Sequence, residues 1–61
     1  MKYYKVTLDN GEELFHESKS SLTNDQLLQE MQEVATLSPA EVEDVKDIEE
    51  IEEEEYEMYA I

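Results

Sequence analysis

Cysteine and tryptophan are missing from this 61-residue chain, glycine and proline occur once each, and only four residues are basic. Without cysteine there is no disulfide scaffold, no thiolate metal site and no cysteine nucleophile. No apolar stretch approaches the ~20 residues of a membrane span, and none reads as a signal peptide, so a cytoplasmic protein is expected. The length excludes a two-domain enzyme, a solenoid or a large buried active site and leaves one small domain, residues 1–61. Against the four lysines stand 18 acids, for a net charge of −14. Nucleic acid and anionic lipid are themselves negative, so neither is an expected direct partner. What is left is a soluble acidic module that meets a basic protein or merely solvates itself.

A domain of this length buries only ~60% of the surface its unfolded chain exposes. Hydrophobic residues make up 39% of it, enough for a small core and more than a disordered acidic tail carries. A homodimer would add buried surface. The charge is uneven. Residues 1–30 hold three lysines and six acids; residues 31–61 hold Lys46 and twelve acids. Any function that uses charge belongs to the second half.

Residues 3–8 read as a strand with Tyr4, Val6 and Leu8 on one face and Tyr3, Lys5 and Thr7 on the other. Asn10-Gly11 tolerates positive φ at both positions and predicts a two-residue type I′ turn, with residues 13–17 as the return strand. Thr23 is an N-cap with Gln26 three residues on, a capping-box pattern, and Leu22 and Leu27 can form a hydrophobic staple around it. Leu27, Leu28, Met31, Val34 and Ala35 then give a one-sided helical stripe over 24–36. Ser38, Pro39 and Glu41 are a second start signal and predict a short helical turn over 39–44. Val42, Val45, Ile48 and Ile51 recur at intervals of three, which suits a helix better than a strand. A hairpin with one helix nevertheless needs a third strand to complete a stable sheet. Residues 45–51 or residues 55–61 can supply it. The expected fold is α+β: an N-terminal hairpin, one central helix and an acidic C-terminal segment giving a third strand, ββαβ in order. The alternative is a second, acidic helix.

Seven of the nine residues 49–57 are Glu. Like charges at helical i,i+4 spacing, or facing one another across a sheet, each destabilise by a few tenths of a kcal/mol or more. Folding does not require such a run, and solubility needs far less charge. One reading is a solvated, frayed segment. The other is an array of carboxylates that stands in for phosphates in a groove lined with Lys and Arg, since carboxylates accept bidentate Arg as phosphates do. The candidate partner-binding residues are Asp47, Glu49, Glu50, Glu52, Glu53, Glu54, Glu55, Tyr56, Glu57 and Tyr59, with the tyrosines as aromatic anchors or, equally, as packing residues.

In size, in charge, and in the sequence of hairpin (3–17), helix (24–36) and acidic segment (41–57), the chain resembles small acidic proteins encoded by phages of Gram-positive bacteria. These include uracil-DNA glycosylase inhibitors and some anti-CRISPR proteins. The resemblance is to a class and carries over no binding residue. It implies a DNA-mimicking inhibitor at work in the host-cell cytoplasm, with a nucleic-acid-binding protein as its target. The rival is a small protein–protein interaction module or subunit whose acidity serves only solubility. Catalysis and cofactors are not expected. His16, the single histidine, has no evident acid–base partners and reads as an exposed or half-buried strand residue. Asp9-Asn10-Gly11 is only a fragment of a calcium loop, with Gly at the wrong offset.

Overall fold

The computed structural model describes residues 1–59 and is an α+β domain. β1 (Lys2–Leu8) and β2 (Glu13–Ser18) form the hairpin, α1 (Asn24–Glu33) follows, and a 3-10 turn, Pro39–Asp44, leads into β3 (Val45–Ile51) and α2 (Glu53–Tyr59). The sheet is antiparallel throughout, in the order β2-β1-β3, so the first strand lies in the middle.

The hairpin has the expected faces but a different turn. Leu8 N–H donates to Glu12 C=O at 2.8 Å, and Gly11 N–H to Leu8 C=O at 2.9 Å. Three residues, Asp9, Asn10 and Gly11, therefore make the loop, and only Gly11 has positive φ, at 88°. This is a type I turn closed by a glycine bulge in place of the predicted type I′ turn. The Asn10 side chain explains the preference, because its Oδ1 accepts from Glu12 N–H at 2.9 Å and holds the turn locally.

Tyr4, Val6 and Leu8 of β1 are buried with Leu27 and Met31 of α1 and with Leu37. Leu14, Leu22, Leu28, Val42, Val45 and Ile48 pack around them. The Thr23–Gln26 capping box is formed on both sides, with Thr23 Oγ1 accepting from Gln26 N–H at 3.2 Å and Gln26 Oε1 from Thr23 N–H at 3.0 Å. The Tyr4 hydroxyl accepts from Leu22 N–H at 3.0 Å and joins the start of α1 to the sheet.

Helix α1 ends at Glu33, three residues short of the expected 36. Thr36 N–H bonds Met31 C=O and Ala35 N–H bonds Gln32 C=O, the pairing of a Schellman stop, with Ala35 at φ 63°. An alanine in the left-handed region is strained where glycine is not. Ala35→Gly is therefore expected to stabilise the fold by about 0.5–1 kcal/mol. Urea denaturation checks this, and a lower midpoint would contradict it.

β3 occupies the first of the two predicted ranges. Its threefold apolar spacing, which looked helical, comes from a bulge. The register changes between Thr7, opposite Asp47, and Leu8, opposite Val45, which leaves Lys46 as an extra residue. That insertion brings Val45 and Ile48 onto the same, core face. Ile51, an odd step further, falls on the opposite face across from Tyr3 and is buried there. The second predicted range fails as a strand: residues 55–59 are helical, and Ala60 and Ile61 lie outside the described residues. The chain thus has both the third strand and the acidic helix that were expected as alternatives.

Candidate functional site: an acidic helix on the outer face of the sheet

Helix α2 packs on the sheet face opposite α1. Tyr56 lies over Tyr3 of β1 with ring centroids 4.7 Å apart, and Tyr59 stacks on Phe15 of β2 at 4.8 Å. Between them Glu55 reaches Lys5 Nζ at 3.8 Å, and Lys5 also meets Glu13 at 3.6 Å. Residues 55, 56 and 59 share one side of a helix, so the opposite side presents Glu53, Glu54, Glu57 and Met58 to solvent. The Glu52 carbonyl accepts the first helical bond, from Tyr56 N–H at 3.0 Å. Three acids in the first turn, Glu53, Glu54 and Glu55, complement the helix dipole, which offsets part of their mutual repulsion.

The ten candidate residues therefore divide. Glu55, Tyr56 and Tyr59 face the sheet and hold α2 down. Glu50 pairs with Lys2 at 3.6 Å, an exposed pair worth at most about 1 kcal/mol. Asp47 and Glu49 lie on β3 opposite Thr7 and Lys5. Glu52, Glu53, Glu54 and Glu57 line one shallow concave surface, and none of them pairs with a cation among the described residues. A second depression adjoins it, sharing Glu52 and Glu53 and adding Glu50 and Lys2. Glu52 to Glu57 spans about 7.5 Å along the helix axis and carries the four outward carboxylates, about one per 1.9 Å. That is close to the linear charge density of duplex DNA, one charge per ~1.7 Å.

Met58 was not among the candidates. It is 74% exposed beside Glu54 and Glu57, while Tyr59 is 50% exposed at the end of the helix. The helical offset between Met58 and the sheet-facing tyrosines is the signal that identifies it, legible only once residues 53–59 are known to be helical. His16 is a correction. It is 8% exposed, and its Nε2 donates to Glu30 Oε1 at 2.7 Å, a tie between β2 and α1. The hairpin register places it opposite Tyr4, on the core face.

The acids on and around α2 also act on Tyr3 and Lys5. Burial, then the charges of Glu53, Glu17 and Glu57, push the Tyr3 phenol above its ordinary 10.0. Burial works to lower the Lys5 ammonium, but Glu49, Glu13 and Glu55 outweigh it and hold the group above 10.5. In both cases the folded state favours the protonated form. The stability this supplies is complete below the unfolded values and is lost as pH rises through the raised ones. The melting temperature should therefore fall once pH passes 10.0, and Lys5→Met should make that fall shallower. A melting temperature that is flat from pH 9 to 12 would contradict the arrangement.

Among the described residues no group of three or more His, Cys, Asp or Glu side chains is placed to hold a metal ion, and no helix is long and apolar enough to cross a membrane. No family model, curated protein or solved structure matches this chain.

Proposed function

We infer that this chain is an acidic binding protein that inhibits a nucleic-acid-binding protein by presenting a DNA-like array of carboxylates to its basic groove. The observation that supports this is the division of labour among the acids. Glu13, Glu50 and Glu55 meet the lysines of the fold, whereas Glu52, Glu53, Glu54 and Glu57 are gathered on one outward surface and, among the described residues, none of them is in an ion pair. Their repulsion works against α2, and folding gains little from the cluster beyond the dipole contribution. Met58 adds an apolar contact that a phosphate backbone lacks. The context is the one the class resemblance implies, a phage-encoded inhibitor in the host cytoplasm, and no catalysis is part of it.

Immobilised protein in a bacterial lysate at low salt should capture nucleic-acid-binding proteins that leave steeply as salt rises, because exposed charge contacts are screened. Added duplex DNA should release the same proteins. Captured proteins that resist both salt and DNA would favour the rival reading, an interaction module with incidental acidity.

A further inference from the structure

β2 and β3 are the two edges of the sheet, and the hydrogen-bonding pattern shows which groups lie on the β3 edge. Leu8 N–H bonds Glu12 C=O. Backbone groups alternate in direction along a strand, so Leu8, Val6 and Tyr4 turn theirs toward β2. Tyr3, Lys5 and Thr7 turn theirs toward β3, where they meet Ile51, Glu49 and Asp47. The N–H and C=O of Ile48 and Glu50 consequently point outward. Neither α1 nor α2 covers them. α2 runs from the end of β3 across Tyr3 to Phe15, away from this edge, and α1 lies under the other face through Leu27 and Met31.

The charge along the edge selects what can pair with it. Lys46 is the single cation in residues 43–57, against ten acids. Two copies of β3 pairing antiparallel would set Asp47, Glu49 and Glu50 against their own kind, which is unfavourable. A basic strand instead brings the opposite sign to Asp47, Glu49 and Glu50. β2, the other edge, is less suited: it carries two acids, Glu13 and Glu17, against the three of β3, and Glu13 is engaged by Lys5.

We propose that the β3 edge accepts an extended basic segment of a partner protein as a fourth strand. This rests on the basic partner inferred above and specifies how a part of it binds. The main chain of Ile48 and Glu50 supplies the hydrogen bonds. Side chains on the α2 face of the added strand meet Asp47 and Glu49, so Lys or Arg belongs there. Those on the other face lie beside half-buried Ile48, with Glu50 on the same face already paired to Lys2, so a β-branched residue belongs there. The bulge at Lys46 ends the pairing on one side. The segment is therefore short, with basic and apolar residues in alternation, the strand-addition mode of peptide recognition.

The test uses two capped heptapeptides, Lys-Val-Lys-Val-Lys-Val-Lys and the same sequence N-methylated at each valine, titrated into the whole protein at low salt. Their charges are equal, but the second cannot donate along one edge. The unmodified peptide should slow amide hydrogen exchange at Ile48 and Glu50 at least tenfold, and the methylated one should bind at least tenfold more weakly. Equal binding of the two, with NMR shifts confined to Glu52–Glu57, would overturn the strand addition while leaving the carboxylate surface intact. No binding of either at millimolar concentration would overturn it as well, and so would slowed exchange that appears without peptide as the protein is concentrated into a dimer. Strand addition by the peptide together with a lysate capture that yields no nucleic-acid-binding protein would sustain the edge and refute the inhibitor reading alone.

Discussion

Replacing Glu52, Glu53, Glu54 and Glu57 together with Gln is expected to weaken binding to a basic partner by roughly 100-fold or more while leaving the fold in place. Hydrogen bonds to charged groups contribute about 1.5–3 kcal/mol each, so the loss of two is already a fall of that size. The choice of residues matters. Glu55 is left alone because it meets Lys5 at 3.8 Å and helps to seat α2. Two opposing effects act on stability. Removing the i,i+4 and i,i+3 repulsions around Glu57 favours α2, and removing first-turn acids Glu53 and Glu54 takes away a dipole contribution of about 0.3–1 kcal/mol each. The net change should stay within about 1 kcal/mol. Calorimetric titration and urea denaturation on the same variant read both quantities. Unchanged affinity would make the acidic surface a solubility device.

The second large effect lies in the core. Met31→Ala should cost about 2–5 kcal/mol, because Met31 is fully buried between α1 and the sheet. A 61-residue domain has only about 3–9 kcal/mol in total, from about 0.05–0.15 kcal/mol per residue. The variant should therefore keep only a fraction of that stability and melt at least about 8 °C lower, since each kcal/mol shifts Tm by about 4–8 °C in a domain of this size. A midpoint close to that of the parent would mean that α1 is not the lid of the core.

Much of this architecture is legible in the sequence, because its signals are local. The alternation of Tyr4, Val6 and Leu8 gives the buried face of β1, and Thr23 with Gln26, and Ser38 with Glu41, mark two helical starts through side chains three residues apart. The features that escape depend on distant partners or on an inserted residue. The bulge at Lys46 makes a strand mimic helical spacing, so residues 45–51 point both ways until β1 fixes their register. The stop at Ala35 escapes because an alanine occupies a position that glycine normally signals. α2 is the hardest case. Its like charges argue against a helix, and what holds it are Tyr3, Lys5 and Phe15, some forty to fifty residues earlier in the chain.

For the site, composition locates the acidic half and the run within it, and the fold then sorts that run. Two tyrosines that could have been partner anchors are turned onto the sheet, and Met58 is turned outward in their place. The sorting follows from helical geometry: residues 55, 56 and 59 share one side, so 53, 54, 57 and 58 share the other.

The central claim, that carboxylates on α2 occupy a groove meant for phosphates, is tested most directly by displacement. A basic-grooved protein captured by this chain is loaded with a fluorescent duplex, and wild-type protein is titrated in at fixed, low salt. Competition predicts that anisotropy falls to the value of free DNA, that the apparent affinity of the competitor weakens as more duplex is present, and that the variant with Gln at 52, 53, 54 and 57 displaces the duplex only at roughly 100-fold higher concentration. Anisotropy that instead stays high or rises, because protein and duplex bind together, or a Gln variant that displaces the duplex as well as wild type does, would contradict it.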